Sequence, residues 1–216
     1  RGSDHELTGG SGPEAWPLIS PDGARVAFTT RTYPPDAGLK SDTPLLIAAV
    51  RTGVAEVVCS DCFRPESWSR DGNKVLISGS ASATGTASPL GFVSEFDLIS
   101  KKRSIVLQDP SRTIASPRYS PNGRWVSFMD SPASQATRQI FVASLAGTDF
   151  PVPPSQWIAI TDGQTTNREP RWSEDGASLY FVSNRDGFTC LWAQRLDANT
   201  KRPAGPTVAL RHFHSA

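Results

Sequence analysis

Residues 169–187 read EPRWSEDGASLYFVSNRDG and contain the clearest copy of a unit that the chain repeats. At its centre, Ser173-Glu174-Asp175-Gly176 predicts a tight turn. Serine bonds back to the backbone, aspartate accepts backbone N–H groups, and glycine adopts a positive φ without strain. Trp172 before the turn and the alternating Leu179 and Phe181 after it predict the two strands of a hairpin.

Three more copies of this turn precede it: SPDG at 20–23, SRDG at 69–72 and SPNG at 120–123. The four glycines are 49, 51 and 53 residues apart, and a period near fifty residues is typical of propeller blades. Because asparagine replaces aspartate in one copy, we expect a structural role for these positions rather than shared charge-dependent chemistry. The turn residues are Asp22, Gly23, Asp71, Gly72, Asn122, Gly123, Asp175 and Gly176.

Alignment on the glycines predicts four strands for each repeat, and so an all-β fold: a β-propeller of four four-stranded antiparallel blades. The blades are expected at about 14–58, 64–107, 114–161 and 168–210. Residues 5–8 read as the outer strand of a blade before the first, and residues 1–3 as a tag remnant, so that 4–216 is the propeller. Either strand 5–8 completes a closed four-bladed ring, or the chain is a segment of a larger propeller. The second is favoured because the last blade already has a fourth strand at 207–210.

Overall charge and hydrophobicity narrow the class of partner. The formal net charge is +1, from 22 basic and 21 acidic residues. This balance gives no electrostatic footprint for nucleic acid. No apolar run approaches the roughly 20 residues that span a bilayer, so we expect no membrane insertion by this segment.

The cysteines do not predict a metal centre. Cys59 and Cys62 form a CxxC pair, but a structural zinc site needs four ligands, and the three histidines lie near the chain ends. A local disulfide or two reduced thiols are both open, and a disulfide would favour a periplasmic or other extracytoplasmic location. Cys190 is predicted to be a small core residue. We expect neither a metal nor a cofactor.

Arginines supply the candidate binding residues. They fall within or just before the predicted inner strands, or in a hairpin loop at one face of the ring: Arg64, Arg112, Arg118, Arg168, Arg171 and Arg185. Converging at the channel mouth, they would form a basic ring suited to carboxylates or phosphates. Pairing with neighbours such as Glu66 and Glu169 is the alternative. The sequence has no Gly-x-Ser-x-Gly elbow with a triad histidine, so we expect no enzyme activity.

The repeats resemble the WD40-like (PD40) repeat of TolB-type propellers, most clearly at 170–176 (PRWSEDG), 179–187 (LYFVSNRDG) and 117–128 (PRYSPNGRWVSF). The pattern departs from the family at Ile19, where an aromatic residue is usual, and at Glu66, where proline is usual. Residues 59–68 and 191–216 are similar to C-terminal propeller regions of bacterial receptor-type serine/threonine kinases and of some winged-helix regulators.

This resemblance implies a non-catalytic sensing or docking module. Its expected partner is a protein, a peptide or a small polar ligand, and its expected place is the sensor or scaffold part of a larger bacterial signalling protein. Open blade edges also predict self-association. The alternative is the gating propeller of a prolyl-oligopeptidase-type serine peptidase.

Overall fold

The computed structural model describes residues 14–30, 44–60, 62, 64–78, 91–132, 137–147 and 149–213. The predicted strand 5–8 and the tag remnant 1–3 lie outside these residues. The described chain forms four four-stranded antiparallel sheets, which confirms the predicted all-β architecture. Its helical content is one short 3₁₀ turn at Pro154–Gln156, and no described helix has the length and apolar character to cross a membrane.

Each sheet is a meander of four strands consecutive in sequence. Sheet A holds β1 (Glu14–Ile19), β2 (Arg25–Thr30), β3 (Leu45–Ala49) and β4 (Ala55–Cys59), and sheet B holds β5 (Arg64–Trp68), β6 (Lys74–Ser78), β7 (Phe92–Asp97) and β8 (Lys102–Gln108). Sheet C holds β9 (Arg112–Tyr119), β10 (Trp125–Pro132), β11 (Gln139–Ser144) and β12 (Ile158–Ala159), and sheet D holds β13 (Asn167–Trp172), β14 (Ser178–Ser183), β15 (Cys190–Arg195) and β16 (Val208–Arg211).

Apolar side chains with a period of two form the core between neighbouring sheets. In sheet D, Leu179 and Phe181 are almost completely buried against sheet C, while Tyr180 between them points away from it. Equivalent alternating pairs face the preceding sheet in B and C, where they join separate A–B and B–C clusters. Burial of a side chain of this size contributes about 1.5–3 kcal/mol, so the pattern decides which way each strand faces.

The four repeated turns have one geometry. In each, the serine Oγ donates to the aspartate or asparagine Oδ1 at 2.5–2.8 Å, and that oxygen accepts a backbone N–H two residues further on. The glycine has φ between 68° and 71°, and its N–H donates to the serine carbonyl. The serine hydrogen bond, assisted by the backbone N–H, lowers the pKa of Asp22, Asp71 and Asp175.

Indole side chains connect successive sheets. Trp68 of β5 donates its Nε1–H to the Leu18 carbonyl of β1 at 2.9 Å, and Trp172 of β13 donates to the Arg118 carbonyl of β9 at 3.2 Å. The innermost strands therefore pack in the order β1, β5, β9, β13. Among the described residues no comparable packing joins β13 back to β1.

Candidate functional site

A one-residue bulge interrupts each inner strand. The register with the second strand of the sheet shifts at this point in β1, β5, β9 and β13. In three of the four strands the bulge includes a residue with positive φ: Trp16, Ser116 or Glu169. A bulge bends its strand and redirects the side chains beside it, so polar and charged groups are turned toward the neighbouring inner strands.

Glu66, next to the bulge of β5, is the buried centre of a charged cluster. Its side chain is only 1% exposed, and its carboxylate accepts hydrogen bonds from Ser78 Oγ at 2.6 Å and Arg118 Nη1 at 2.8 Å. Arg64 Nε lies 3.2 Å from the same carboxylate, and Arg118 also donates to the Glu66 carbonyl. A buried carboxylate with three polar partners has its desolvation compensated.

The cluster continues across the next two inner strands. Glu169 Oε2 of β13 lies 3.8 Å from Arg118 Nη2 and 3.1 Å from Arg171 Nη2. At the other end, the Arg64 guanidinium lies over the Trp16 ring of β1, 5.6 Å from its centroid. We call the five charged residues the charge ladder: Arg64, Glu66, Arg118, Glu169 and Arg171. It crosses three sheets with three positive and two negative charges.

The six predicted arginines therefore have different surroundings. Arg64, Arg118 and Arg171 meet in the charge ladder, where two glutamates neutralise most of their charge. The predicted alternative, pairing with Glu66 and Glu169, is what the structure has at these three positions. Ligand binding by the arginines stays a prediction.

The other three arginines lie apart from the ladder. Arg112 pairs with Asp109 at 3.4 Å and donates to the buried Asp130, and the Arg185 guanidinium stacks over two aromatic rings at 5.0–5.3 Å. Arg168 is exposed on β13 and has no ion-pair partner among the described residues.

Burial shifts the pKa of three of these groups, and in Arg185 it lowers the pKa of the guanidinium. Desolvation, together with the nearby Arg118 charge, lowers the pKa of Arg171, and desolvation raises the pKa of Asp130 despite its bond from Arg112. A group whose charged form is disfavoured in the free protein gains from a new counter-charge. This applies to both Arg171 and Arg185, whose guanidinium groups lose hydration on burial.

A polar cleft of about 610 Å³ opens at the turn face between sheets B and C. Glu95 on its wall accepts from Lys74 Nζ and from the Tyr119 hydroxyl, both at 2.6 Å. The hydrogen bond to Glu95 raises the pKa of Lys74, and burial raises the pKa of the Tyr119 hydroxyl. The cleft is also lined by Arg70 and Asp71, so charges of both signs lie along its wall.

The CxxC pair is resolved in favour of the disulfide. Cys59 and Cys62 are bonded, with their Cα atoms 5.5 Å apart, at the connection from sheet A to sheet B. Cys62 is 1% exposed and belongs to the cluster between these sheets, so the bond fixes the connection to the core. Cys190 is a free, buried cysteine, as its predicted core role requires.

Comparison with solved structures gives the closer description of the fold. A TolB-type protein from Agrobacterium tumefaciens superposes with a TM-score of 0.65 at 19% identity, and the match covers 89% of this chain and 63% of that one. TolB from Acinetobacter baumannii gives 0.64 at 18% identity, covering 94% and 45%. The fold is that of a TolB-type propeller.

A similar fold also occurs within a peptidase. The tricorn protease superposes with a TM-score of 0.55 at 16% identity, over 82% of this chain and 17% of that one. The chain thus spans less than two thirds of the length of each of these proteins. No protein-family model matches the sequence, and no curated protein matches it.

The sequence predicted the arginines of this TolB-type fold as candidates but did not predict the polar contacts of Asp130, Glu95 and Tyr119. Asp130 has no charged neighbour in sequence, and its pairing with Arg112 follows from the register of β9 and β10. Glu95 and Tyr119 meet across two sheets. One signal was available for Tyr119, since it stands where two other repeats have tryptophan, and a hydroxyl needs a different partner from an indole.

Proposed function

We propose that the protein is a non-catalytic binding module that docks a protein, a peptide or a small polar ligand through carboxylate or phosphate groups. Arg168 and Arg171 on β13 form the proposed anion-binding site, which we call the anion seat. The observation that carries this proposal is the half-exposed guanidinium of Arg171 at the end of the charge ladder, with the exposed Arg168 on the same strand.

The charge ladder supports this choice over the other arginines. Arg118 is 15% exposed and already bonded to Glu66, so an incoming anion would have to displace a buried carboxylate. Arg171 is 51% exposed, and among the described residues its one ion-pair partner is the similarly exposed Glu169 at 3.1 Å. Exposed pairs of this kind contribute about 0–1 kcal/mol, so a ligand carboxylate replaces such a contact at small cost.

Binding of a fluorescein-labelled oligoglutamate peptide, followed by fluorescence polarisation, tests the seat. We expect Arg168→Ala and Arg171→Ala each to weaken binding about tenfold, the value of one charge-assisted hydrogen bond. The melting temperature should change by no more than about 2 °C, because both side chains are exposed. Arg124→Ala, an exposed arginine in the turn of sheet C, makes the same charge change elsewhere.

The result of that comparison decides the proposal. Unchanged affinity of the Arg168→Ala/Arg171→Ala double variant for the peptide would show that the anion does not bind at these two arginines. An equal loss in Arg124→Ala would show that only overall charge matters. Inorganic phosphate as competitor then distinguishes a small anion from a peptide, since a peptide seat requires contacts that phosphate does not supply.

We further propose that the module is the sensor or scaffold part of a larger bacterial signalling protein outside the cytoplasm. The Cys59–Cys62 disulfide supports the location, because such bonds persist in oxidising compartments. Alkylation of free thiols in intact cells, followed by mass spectrometry, should find both cysteines protected and Cys190 modified only after denaturation. Alkylation of both Cys59 and Cys62 would show that the pair is reduced and would remove this support for a location outside the cytoplasm.

The gating propeller of a serine peptidase is the second candidate, favoured by the similarity to a segment of the tricorn protease. In that case the natural full-length protein should react with a fluorophosphonate probe, and this chain alone should not. Absence of labelling in the active, folded full-length protein would leave the binding module.

A further inference from the structure

Three side chains with metal-binding atoms meet at the end of sheet D that is remote from its Ser173–Gly176 turn. Asp186 lies in the hairpin between β14 and β15, Cys190 begins β15, and His212 follows β16. One ligand atom from each residue lies within 4.8 Å of the other two. The three residues come from different parts of the sheet, so folding of sheet D creates the cluster.

The surroundings order these groups. His212 Nδ1 lies 2.8 Å from Asp186 Oδ2, and the imidazole packs edge-on against Trp192 with ring centroids 5.8 Å apart. The Cys190 side chain is completely buried and is the free thiol of the described chain. A buried thiol beside an oriented imidazole and a carboxylate combines the three ligand types that zinc uses in proteins.

We propose that Asp186, Cys190 and His212 bind a divalent transition-metal ion of the Zn²⁺ type, with a fourth position open to solvent. Zn–S bonds are about 2.3 Å and Zn–N or Zn–O bonds about 2.0–2.2 Å, so tetrahedral ligand atoms stand roughly 3.5 Å apart. Closing the site would bring the widest-spaced ligand atoms, which lie up to 4.8 Å apart, about 1 Å closer, and would widen the 2.8 Å contact between His212 Nδ1 and Asp186 Oδ2 by about 0.7 Å. Asp186 and His212 are 21% and 45% exposed, which leaves both side chains room to rotate toward the thiol.

The site has a structural consequence that does not depend on the proposed anion seat. A bound ion would tie the β14–β15 hairpin to the end of β16, the outermost strand of sheet D. Ligands that bind only the folded state stabilise it by mass action. Zinc is therefore expected to raise the melting temperature of the whole chain by about 5 °C at saturation.

Cobalt(II) substitution tests the proposal directly, because Co²⁺ bound to a thiolate gives a sulfur-to-cobalt charge-transfer band in the near ultraviolet. With Cys59 and Cys62 held in their disulfide in reductant-free buffer, Cys190 is the thiolate available to produce it. We expect the wild-type chain to bind one equivalent of Co²⁺ with this band, and Cys190→Ser to lose the band. Zn²⁺ should displace the cobalt.

Variants of the exposed ligands separate a built site from chance binding to a thiol. Asp186→Asn and His212→Ala should each weaken Co²⁺ binding by at least about tenfold. Glu174→Gln, a carboxylate change at the opposite turn of the same sheet, should leave it unchanged. Both ligand variants alter partly exposed side chains, so they report on the site even if Cys190→Ser does not fold.

Two results would overturn the proposal. One is Co²⁺ binding by the wild-type chain without a charge-transfer band. The other is a band whose affinity is the same in Asp186→Asn, His212→Ala and the wild type.

Discussion

Replacing Glu66 with glutamine should lower the free energy of unfolding by about 3 kcal/mol, because it removes one charge from the buried part of the charge ladder. The Glu66 side chain is 1% exposed, and it bonds to Arg118 at 2.8 Å and to Ser78 at 2.6 Å. Glutamine keeps the shape and an acceptor for Ser78. It leaves Arg118, which is 15% exposed, without its main counter-charge.

The expected magnitude follows from what remains. Removing one member of a buried ion pair costs about 3–5 kcal/mol, chiefly the penalty of an uncompensated buried charge. The low end of this range applies here because Glu169 Oε2 stays 3.8 Å from Arg118 Nη2 and replaces part of the lost counter-charge. For a chain of this size, such a loss corresponds to a fall in melting temperature of about 6–12 °C.

Urea unfolding followed by tryptophan fluorescence measures the effect, with Glu169→Gln as the matched control. The Glu169 side chain is 48% exposed, so the same chemical change there should cost less than about 1 kcal/mol. Adding Arg118→Met to Glu66→Gln should recover part of the loss, since it removes the unpaired guanidinium. Equal free energies of unfolding for the two glutamine variants would refute the reasoning, because Glu66 would then contribute no more than an exposed carboxylate does.

Three further outcomes are expected. Trp68→Phe, which loses the bond to the Leu18 carbonyl, should cost about 2 kcal/mol in urea unfolding. Trp192→Phe should cost less, because the Trp192 Nε1–H has no acceptor among the described residues. The lowered pKa of the turn aspartates means that their stabilisation is full above the unfolded pKa of about 3.9 and is lost as the pH falls through the folded values. The triple variant Asp22→Asn, Asp71→Asn and Asp175→Asn should have the melting temperature of the wild type at pH 7, because Asn122 already makes the same hydrogen bonds in its own turn. It should lose less of its melting temperature between pH 5 and pH 2.5; identical profiles would contradict the assignment. Self-association through the outward face of sheet D, where Tyr180 and Val208 are 36% and 52% exposed, predicts a dimer in sedimentation equilibrium at high micromolar concentration, and Val208→Lys should make it a monomer.

Most of the fold could be predicted because its determinants are local. The turn at 173–176 needs only four residues in sequence, and the alternation of Leu179 and Phe181 needs only one strand. Neighbouring strands are connected in sequence order, so each local decision also fixes the next pairing. What the sequence left open was the closure of the ring, which depends on contact between the first and last sheets.

The candidate site was less predictable because its partners come from different repeats. Arg118 and Glu66 are 52 positions apart, and their contact depends on the bulge in each inner strand. Proline at the equivalent place in three repeats gave a useful signal, since its replacement by Glu66 is the one departure that adds a charge. The cluster of Asp186, Cys190 and His212 had no such signal, because the distance between the hairpin and the end of β16 is set by strand pairing alone.

Two departures from the repeat, Glu66 and Tyr119, lie in polar clusters of the molecule, and this has a physical reason. A residue shared by all four repeats faces the same neighbours in each sheet, so selection for packing explains it. Glu66 in place of proline and Tyr119 in place of tryptophan each have a charged partner in the neighbouring sheet: Arg118 in one case and Glu95 in the other. Buried polar groups without partners cost about 1–3 kcal/mol each, so both members of such a pair must be present together. The hydrogen bonds of these two pairs, like those of the repeated turn, are already made within the protein, so the proposed anion site lies on exposed groups beside them, Arg168 and Arg171.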